Sequence, residues 1–294
     1  MRWQGGRRSS NIEDRRGSGL GRPLAVGGGA ASIVVALIVM LLGGDPSDVL
    51  SGGGGGGGTE MDPGTGGSGQ PVDPRQEEMK EFVSVVLADT EDTWPGLLEP
   101  LGVQYEQPRL VLFSDAVQSA CGTQDSAVGP FYCPPDQRVY LDLGFFDELS
   151  RRFGAPGDFA QAYVVAHEVG HHVQNLLGIS DQVHAQRSRM SRTDANALSV
   201  LQELQADCFA GIWAHHAQRQ RQVLEEGDVE EGLGAATAIG DDTLQRRAQG
   251  RVVPESFTHG SSAQRVYWFR RGLEQGTVQA CDTFREGAGG SRGR

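Results

Sequence analysis

Apolar residues follow different patterns before and after about residue 70, and these patterns divide the chain. Residues 24–42 are nineteen consecutive uncharged residues, long enough as a helix to cross a hydrocarbon core of about 30 Å. Residues 73–285 have shorter apolar runs with helical and strand periods, which is typical of one globular domain. Gly, Ser, Pro and Thr dominate residues 43–72, as in a flexible linker. The Gly- and Arg-rich residues 286–294 are predicted to be a disordered tail.

The elements of residues 73–285 follow from start signals and periodicity. Asp73, Pro74 and Gln76 predict the start of a helix that ends near Trp94 and Pro95. Aliphatic and β-branched residues predict two strands, and three acid or hydroxyl capping patterns predict later helices. The strands are predicted at 109–113 and 138–143, and the helices at 158–177, around 203–207, at 228–247 and from Ser261. We therefore expect an α+β fold that is mainly helical and has a small sheet.

The helix predicted at 158–177 contains an H-E-x-x-H string. His167 and His171 are four residues apart, about one helical turn, so both imidazoles can reach a single metal ion. Glu168 lies beside the first of them, where the general base of a metalloprotease is needed. The rest of the helix is largely apolar, and metal binding would explain three ionisable side chains in that setting. The string also arises by chance, so the assignment depends on a third ligand.

Residues 203–207, ELQAD, supply candidates for that ligand. The metzincin pattern is excluded, because Gln174 and Leu177 stand where it requires Gly and His. In gluzincins the third ligand is a Glu from a second helix. Glu203 and Asp207 are four residues apart and share a helix face, with alanines on that face leaving room for close approach. Asp207 could then accept the second ring N–H of a ligand His, although an ordinary solvated face is the alternative.

These patterns predict one Zn²⁺ per chain, bound by His167, His171 and Glu203. Three protein ligands leave a fourth position for water, which is the arrangement of catalytic zinc sites, and Glu168 is the predicted base. A structural site would usually have a fourth protein ligand and no use for such a base.

The negative charge that develops on a substrate carbonyl oxygen needs a further donor. His259 is the candidate, because it lies in a turn before the last helix, where a loop can direct a side chain at a site. Tyr140 and Tyr267 are competing donors. His215 and His216 should point away from Glu203 on a continuous helix and are not expected to contribute.

The net charge of −12 is unevenly distributed. Residues 1–44 carry six Arg against Glu13 and Asp14, so the remainder is strongly acidic and lacks the basic surface that a nucleic-acid partner requires. The Arg residues before the apolar run and the acids after it orient residues 1–23 toward the cytoplasm. We therefore expect a single-pass protein whose residues 73–285 lie outside the cytoplasm.

In that arrangement residues 24–42 contact the lipid bilayer as an anchor, and the domain acts on membrane-proximal peptides or proteins. A cleaved signal peptide is the alternative, but Gly43, Gly44, Asp45 and Pro46 follow the run instead of a small-x-small cleavage site.

Four cysteines occur, and none forms a C-x-x-C pair, so a second, structural zinc is not expected. An even number in a domain outside the cytoplasm suggests two disulfides. Cys121 with Cys133 would close a local loop, and Cys208 with Cys281 would join the chain's end to the ligand helix. A buried free thiol is the alternative for Cys208.

The chain resembles a bacterial family of neutral zinc metallopeptidases, which are membrane-anchored proteins with a short basic N-terminus. The matching segments are MRWQGGRRSSNIEDRRG at 1–17, GPFYCPPDQRVYLDL at 129–143, HEVGHHVQ at 167–174, ELQADCFAG at 203–211 and THGSSAQR at 258–265. The resemblance implies a zincin-like peptidase fold with one catalytic domain. It also implies that His167, His171 and Glu203 bind the zinc and that Glu168 is the base.

Two other functions stay open from the sequence. The protein could be a catalytically silent, membrane-tethered zinc-binding module, or a zinc hydrolase that cleaves a non-peptide amide of the cell wall. In the peptidase hypothesis, residues 138–143 are a candidate edge strand that holds an extended substrate; an ordinary core strand is the alternative for that segment.

Overall fold

The computed structural model describes residues 1–17 and 73–285. The helices of these residues are α1 Pro74–Leu98, α2 Gly144–Arg151, α3 Asp158–Leu176, α4 Ile179–Arg187, α5 Arg192–Arg221, α6 Asp228–Ala238, α7 Asp241–Gln249 and α8 Ser262–Gln275. The strands are β1 Ile12–Asp14, β2 Arg109–Phe113, β3 Ala116–Ser119, β4 Gly122–Asp125, β5 Phe131–Cys133 and β6 Arg138–Asp142. The predicted anchor 24–42, linker 43–72 and tail 286–294 lie outside the described residues.

The main sheet has the order β1-β2-β6-β5, and β3 pairs with β4 in a separate hairpin. The first three strands are parallel, with Ile12 opposite Leu110 and Leu110 opposite Val139, and β5 runs antiparallel to β6. β2 is a continuous apolar run because it is buried between two neighbours. The prediction of a mainly helical α+β fold with a small sheet is confirmed. The edge-strand prediction for 138–143 is wrong, because β6 lies between β2 and β5.

Three helices form most of the core around the predicted metal site. Helix α5 packs between α3 and α8. Aromatic side chains fill the space among these helices, and each of them is buried. Such side chains bury about 150–250 Å² apiece and dominate the energetics of a core. They are Phe159 and Tyr163 from α3, Phe209 and Trp213 from α5, and Phe269 from α8.

Not every predicted N-cap is found in the structure. Ser261 and Gln264 form the expected capping box of α8. Helices α3 and α6 instead begin one residue after a glycine, with no side-chain cap. Their first residues, Asp158 and Asp228, bind the α-amino nitrogen of Met1, at 2.6 and 3.3 Å. The carboxylates that were expected to cap their own helices therefore join the two helices to the first residue of the chain.

Three other predictions about helices also differ from the structure. The helix predicted at 228–247 is two helices, α6 and α7, with Ile239 and Gly240 between them. Helix α1 continues through Pro95 to Leu98, because Trp94 and Leu98 are both fully buried and their packing offsets the backbone hydrogen bond that proline cannot donate. The polar stretch after α3 contains the short helix α4, whose buried Val183 attaches it to the domain.

Both predicted disulfides are present, Cys121–Cys133 and Cys208–Cys281, so Cys208 is not a free thiol. The first joins the β3–β4 hairpin to the end of β5, and the second joins α5 to the last turn of the described chain. Within residues 1–17 and 73–285, none of the helices combines the length and the apolar character needed to cross a bilayer.

Candidate metal centre

Helices α3 and α5 bring the three predicted ligands together. Glu203 on α5 faces both histidines of α3, with its carboxylate oxygens 3.3 Å from His167 Nε2 and 3.4 Å from His171 Nε2. This contact needs a close approach of the helix backbones, and Gly170 permits it. A Cβ atom at Gly170 would lie 2.9 Å from the carbonyl oxygen of Ala206 on α5. The glycine between the two histidines thus determines how near Glu203 lies to them.

Each histidine of this group is oriented by a hydrogen bond at its other ring nitrogen. His167 Nδ1 lies 2.8 Å from Asp207 Oδ1, and His171 Nδ1 lies 2.9 Å from Gln174 Oε1. Both partners present an acceptor, so Nδ1 carries a proton in each ring and Nε2 is the nitrogen left to bind a metal ion. The Gln174 amide is itself fixed, because its nitrogen donates to the carbonyl oxygen of Gln202 at 2.7 Å. The Nε2 atoms of both rings therefore face Glu203.

This donor set fits a zinc ion. One ligand atom from each of His167, His171 and Glu203 lies within 4.8 Å of the others, and two imidazoles with one carboxylate form a three-ligand set typical of catalytic zinc. Burial tends to raise the pKa of Glu203, but the adjacent histidines lower it well below its ordinary value. The carboxylate is therefore charged and available to a cation.

Glu168 lies next to the ligands without being one of them. It is buried and lines the same cleft as His167, His171 and Glu203. Burial raises its pKa, an effect that the two histidines partly offset. A carboxylate with a raised pKa accepts a proton more readily at neutral pH, which is what a general base requires.

Asp207 belongs to a buried ionic network that the sequence did not reveal. Arg265 on α8 donates two parallel hydrogen bonds to it, each of 2.9 Å, and the Tyr163 hydroxyl also donates to it. Arg265 and Asp207 are only 2% and 0% exposed. Burial acts to raise the pKa of Asp207, but Arg265 and His167 together lower it. Arg265 thus keeps ionised the carboxylate that orients His167.

The sequence held a signal for Arg265. Residues 265, 268, 269 and 272 of α8 are all buried, the i, i+3, i+4, i+7 spacing of a core-facing stripe. An arginine in such a stripe requires a buried partner.

His259 lies at the rim of the same cleft and is held by a residue that was not predicted. Its Nδ1 is 3.2 Å from Asp241 Oδ1. Asp241 is itself fixed, because its Oδ2 accepts the backbone N–H groups of Thr258, His259 and Gly260 at 2.7, 2.7 and 2.9 Å. Burial tends to lower the pKa of His259, but Asp241 raises it, and the net direction is upward. A raised pKa favours the charged form of the ring, in which Nε2, the nitrogen that does not face Asp241, also carries a proton.

The competing donors lie elsewhere. Tyr140 donates to Asp136 and packs in a small separate cluster, and Tyr267 is 53% exposed and contacts Arg271. His215 and His216 bond to backbone carbonyl groups at the end of α8 and just beyond it. None of these four residues lines the cleft.

The cleft has a volume of about 420 Å³. It is lined by the residues of the candidate metal centre and by Phe131 and Tyr132 of β5, the edge strand next to β6. Its lining also includes the apolar side chains of Val164, Ile239 and Leu244. An open strand edge beside an apolar groove suits an extended chain that carries apolar side chains.

Comparison with known proteins identifies the family. A family model described as "Putative neutral zinc metallopeptidase" matches residues 1–284. The chain therefore belongs to this family of zinc metallopeptidases, as its motifs predicted.

Individual relatives extend along nearly the same length. The uncharacterized protein YpfJ of Escherichia coli K12 is 48% identical over 284 residues, which is 97% of this chain and 99% of that protein. The uncharacterized protein Rv2575 of Mycobacterium tuberculosis is 40% identical over 248 residues, which is 76% of this chain and 83% of that protein. No solved structure matches the chain.

Proposed function

We propose that this protein is a zinc-dependent peptidase that hydrolyses peptide bonds with Glu168 as general base. One observation carries the proposal: a buried carboxylate that is not part of the ligand set lines the cleft beside two imidazoles and a second carboxylate that fit zinc. A purely structural zinc site has no need of such a group.

Zinc, when bound by His167, His171 and Glu203, supplies a Lewis acid that polarises a carbonyl oxygen and lowers the pKa of water. Glu168 takes a proton from the attacking water and returns it to the nitrogen of the departing amine. His259 donates its Nε2 proton in a hydrogen bond to the oxygen on which negative charge develops. Asp241 raises the pKa of that ring and fixes its orientation through the contact with Nδ1.

The walls of the cleft support a peptide as the substrate. An extended peptide can add its backbone to the free edge of β5, antiparallel or parallel, and direct alternate side chains into the groove. The apolar surface of Val164, Ile239 and Leu244 favours a large apolar side chain next to the scissile bond.

The decisive variant is Glu168→Gln in the full-length protein. It removes the base but keeps size and shape, so zinc content by mass spectrometry should stay near one per chain while peptide hydrolysis falls by at least about 10²-fold. The matched control is Glu148→Gln, which changes another carboxylate lining the cleft and should retain most activity.

The same assay separates the alternatives. A Glu168→Gln protein that cleaves peptides as fast as its parent would remove Glu168 from the mechanism. A parent protein that binds zinc but cleaves neither a protein mixture nor purified cell wall would indicate a silent binding module. Cleavage of cell wall alone would indicate an amidase.

A further inference from the structure

Residues 1–17 belong to the same folded body as residues 73–285. Strand β1 pairs in parallel with β2, with Ile12 opposite Leu110. Met1 is 6% exposed and is part of the main core. The ring of Trp3 meets Phe82 of α1 edge to face, with ring centres 5.5 Å apart. Residues 1–17 are therefore a structural element of the domain, because β1 extends the main sheet and Met1 and Trp3 extend the hydrophobic core.

A buried carboxylate depends on this segment. Glu91 of α1 has a side chain only 1% exposed. It receives three hydrogen bonds from residues 1–17, from Ser9 Oγ at 2.5 Å, Asn11 Nδ2 at 2.8 Å and Arg7 at 2.9 Å. Without these donors its buried charge would be largely uncompensated, which proteins strongly avoid.

The basic residues of the segment also have protein partners. Arg8 contacts Glu81 at 3.0 Å, and Arg16 contacts Glu77 at 2.6 Å. In one further pair the charges are reversed, because Lys80 of α1 contacts the carboxylate of Asp14 at 2.8 Å. Three of the arginines that predicted a cytoplasmic N-terminus, Arg7, Arg8 and Arg16, are therefore complemented by acids of α1. Docking accounts for these three arginines without any orientation signal.

We propose that residues 1–17 and residues 73–285 lie on the same side of any membrane that the protein contacts. A single membrane crossing between residue 17 and residue 73 would place β1 and β2 on opposite sides of the bilayer, whose hydrocarbon core is about 30 Å thick. The two strands could not pair across it. The fold therefore excludes the single-pass topology expected from the sequence for as long as β1 is in place. This inference does not depend on peptidase activity.

Lys80 provides a direct test, because it is the only lysine of the chain. A carbodiimide joins an amine and a carboxylate in contact through an amide of zero length. Treatment of the full-length protein in native membranes should join Lys80 to Asp14, detected by peptide mapping. The neighbouring contact of Lys80 with Glu77, at 3.8 Å on the same helix, is an internal control that forms in either topology.

Two variants make the result specific. Asp14→Asn should abolish the long-range amide and keep the one to Glu77, and Lys80→Arg should abolish both. A Lys80–Asp14 amide in comparable yield to Lys80–Glu77 supports the proposal. A Lys80–Glu77 amide alone, in the parent protein in membranes, overturns it.

Labelling in cells gives an independent answer. Gln4 and Arg270 are both exposed, one in each part of the chain, and the four native cysteines are paired. Gln4→Cys and Arg270→Cys in spheroplasts should react alike with a membrane-impermeant maleimide, either both or neither, and both should react after lysis. Reaction of one without the other in intact spheroplasts would refute the common compartment.

Discussion

Removal of Arg265 should destabilise the protein and weaken zinc binding, although Arg265 is not a predicted ligand. The guanidinium is bidentate on Asp207, and both groups are almost fully buried. Breaking one partner of such a pair typically costs about 3–5 kcal/mol, because the other charge is left in a poorly solvated interior. Asp207 also orients His167, and loss of such an outer hydrogen bond typically lowers metal affinity by about 10–100-fold.

A double-mutant cycle measures this interaction. Arg265→Met and Asp207→Asn should each cost about 3–5 kcal/mol in the free energy of unfolding, since each leaves one unpaired charge. The double variant leaves none, so its cost should fall well below the sum, with a coupling energy of about 2–3 kcal/mol. Arg270→Met, an exposed arginine on the same helix, is the matched control and should change stability by less than about 0.5 kcal/mol.

The assay is urea unfolding of the zinc-free, disulfide-intact protein, followed by tryptophan fluorescence, with zinc affinity from competition against a chelator. The zinc-free form separates the ionic network from the stability that metal binding adds. Additive costs in the double variant, or an Arg265→Met protein as stable as the Arg270→Met control, would refute the role of the pair.

Three further predictions concern the site itself. His167→Ala or Glu203→Ala should each lose most bound zinc in a metal assay, and full occupancy in either would contradict the ligand set. His259→Ala should keep its zinc and lose about 10²–10³-fold in kcat, the usual effect of removing one oxyanion donor; an unchanged kcat would exclude that role. Gly170→Val should move α3 away from α5, because a Cβ there meets the Ala206 carbonyl oxygen at 2.9 Å. Zinc affinity should fall in a protein that retains its helical circular dichroism, and unchanged affinity would show that the two helices do not need this close approach.

Local spacing was sufficient for the part of the site carried by single helices. The i, i+4 pairs His167 with His171 and Glu203 with Asp207 follow from helical geometry alone. Asp241 was beyond such reasoning, because it approaches His259 from the start of another helix, and its bonds to three backbone N–H groups exist only once the turn at 258–260 has formed.

The N-terminal segment shows the corresponding limit for the fold. β1 has only three residues, and two of them, Glu13 and Asp14, are acids with low strand propensity. Its strand conformation depends on pairing with β2, far away along the chain, and the surrounding arginines gave the segment the composition of a solvated tail. Tertiary contacts therefore outweigh both the low strand propensity of β1 and the arginine-rich composition around it.

The pairing of β1 with β2 also affects how the protein folds. Ile12 and Leu110 are 98 positions apart (12 to 110), and closing a flexible loop of that length costs about 4 kcal/mol of chain entropy. During synthesis β1 is made first and must wait for β2, and until the two strands pair, the apolar β2, RLVLF, is an open edge. Open apolar edges recruit strands of other molecules, and charged residues on a covering strand are a common protection. Glu13 and Asp14 of β1 provide those charges, so a chain that lacks its first seventeen residues should aggregate during expression even if every residue of the cleft is intact.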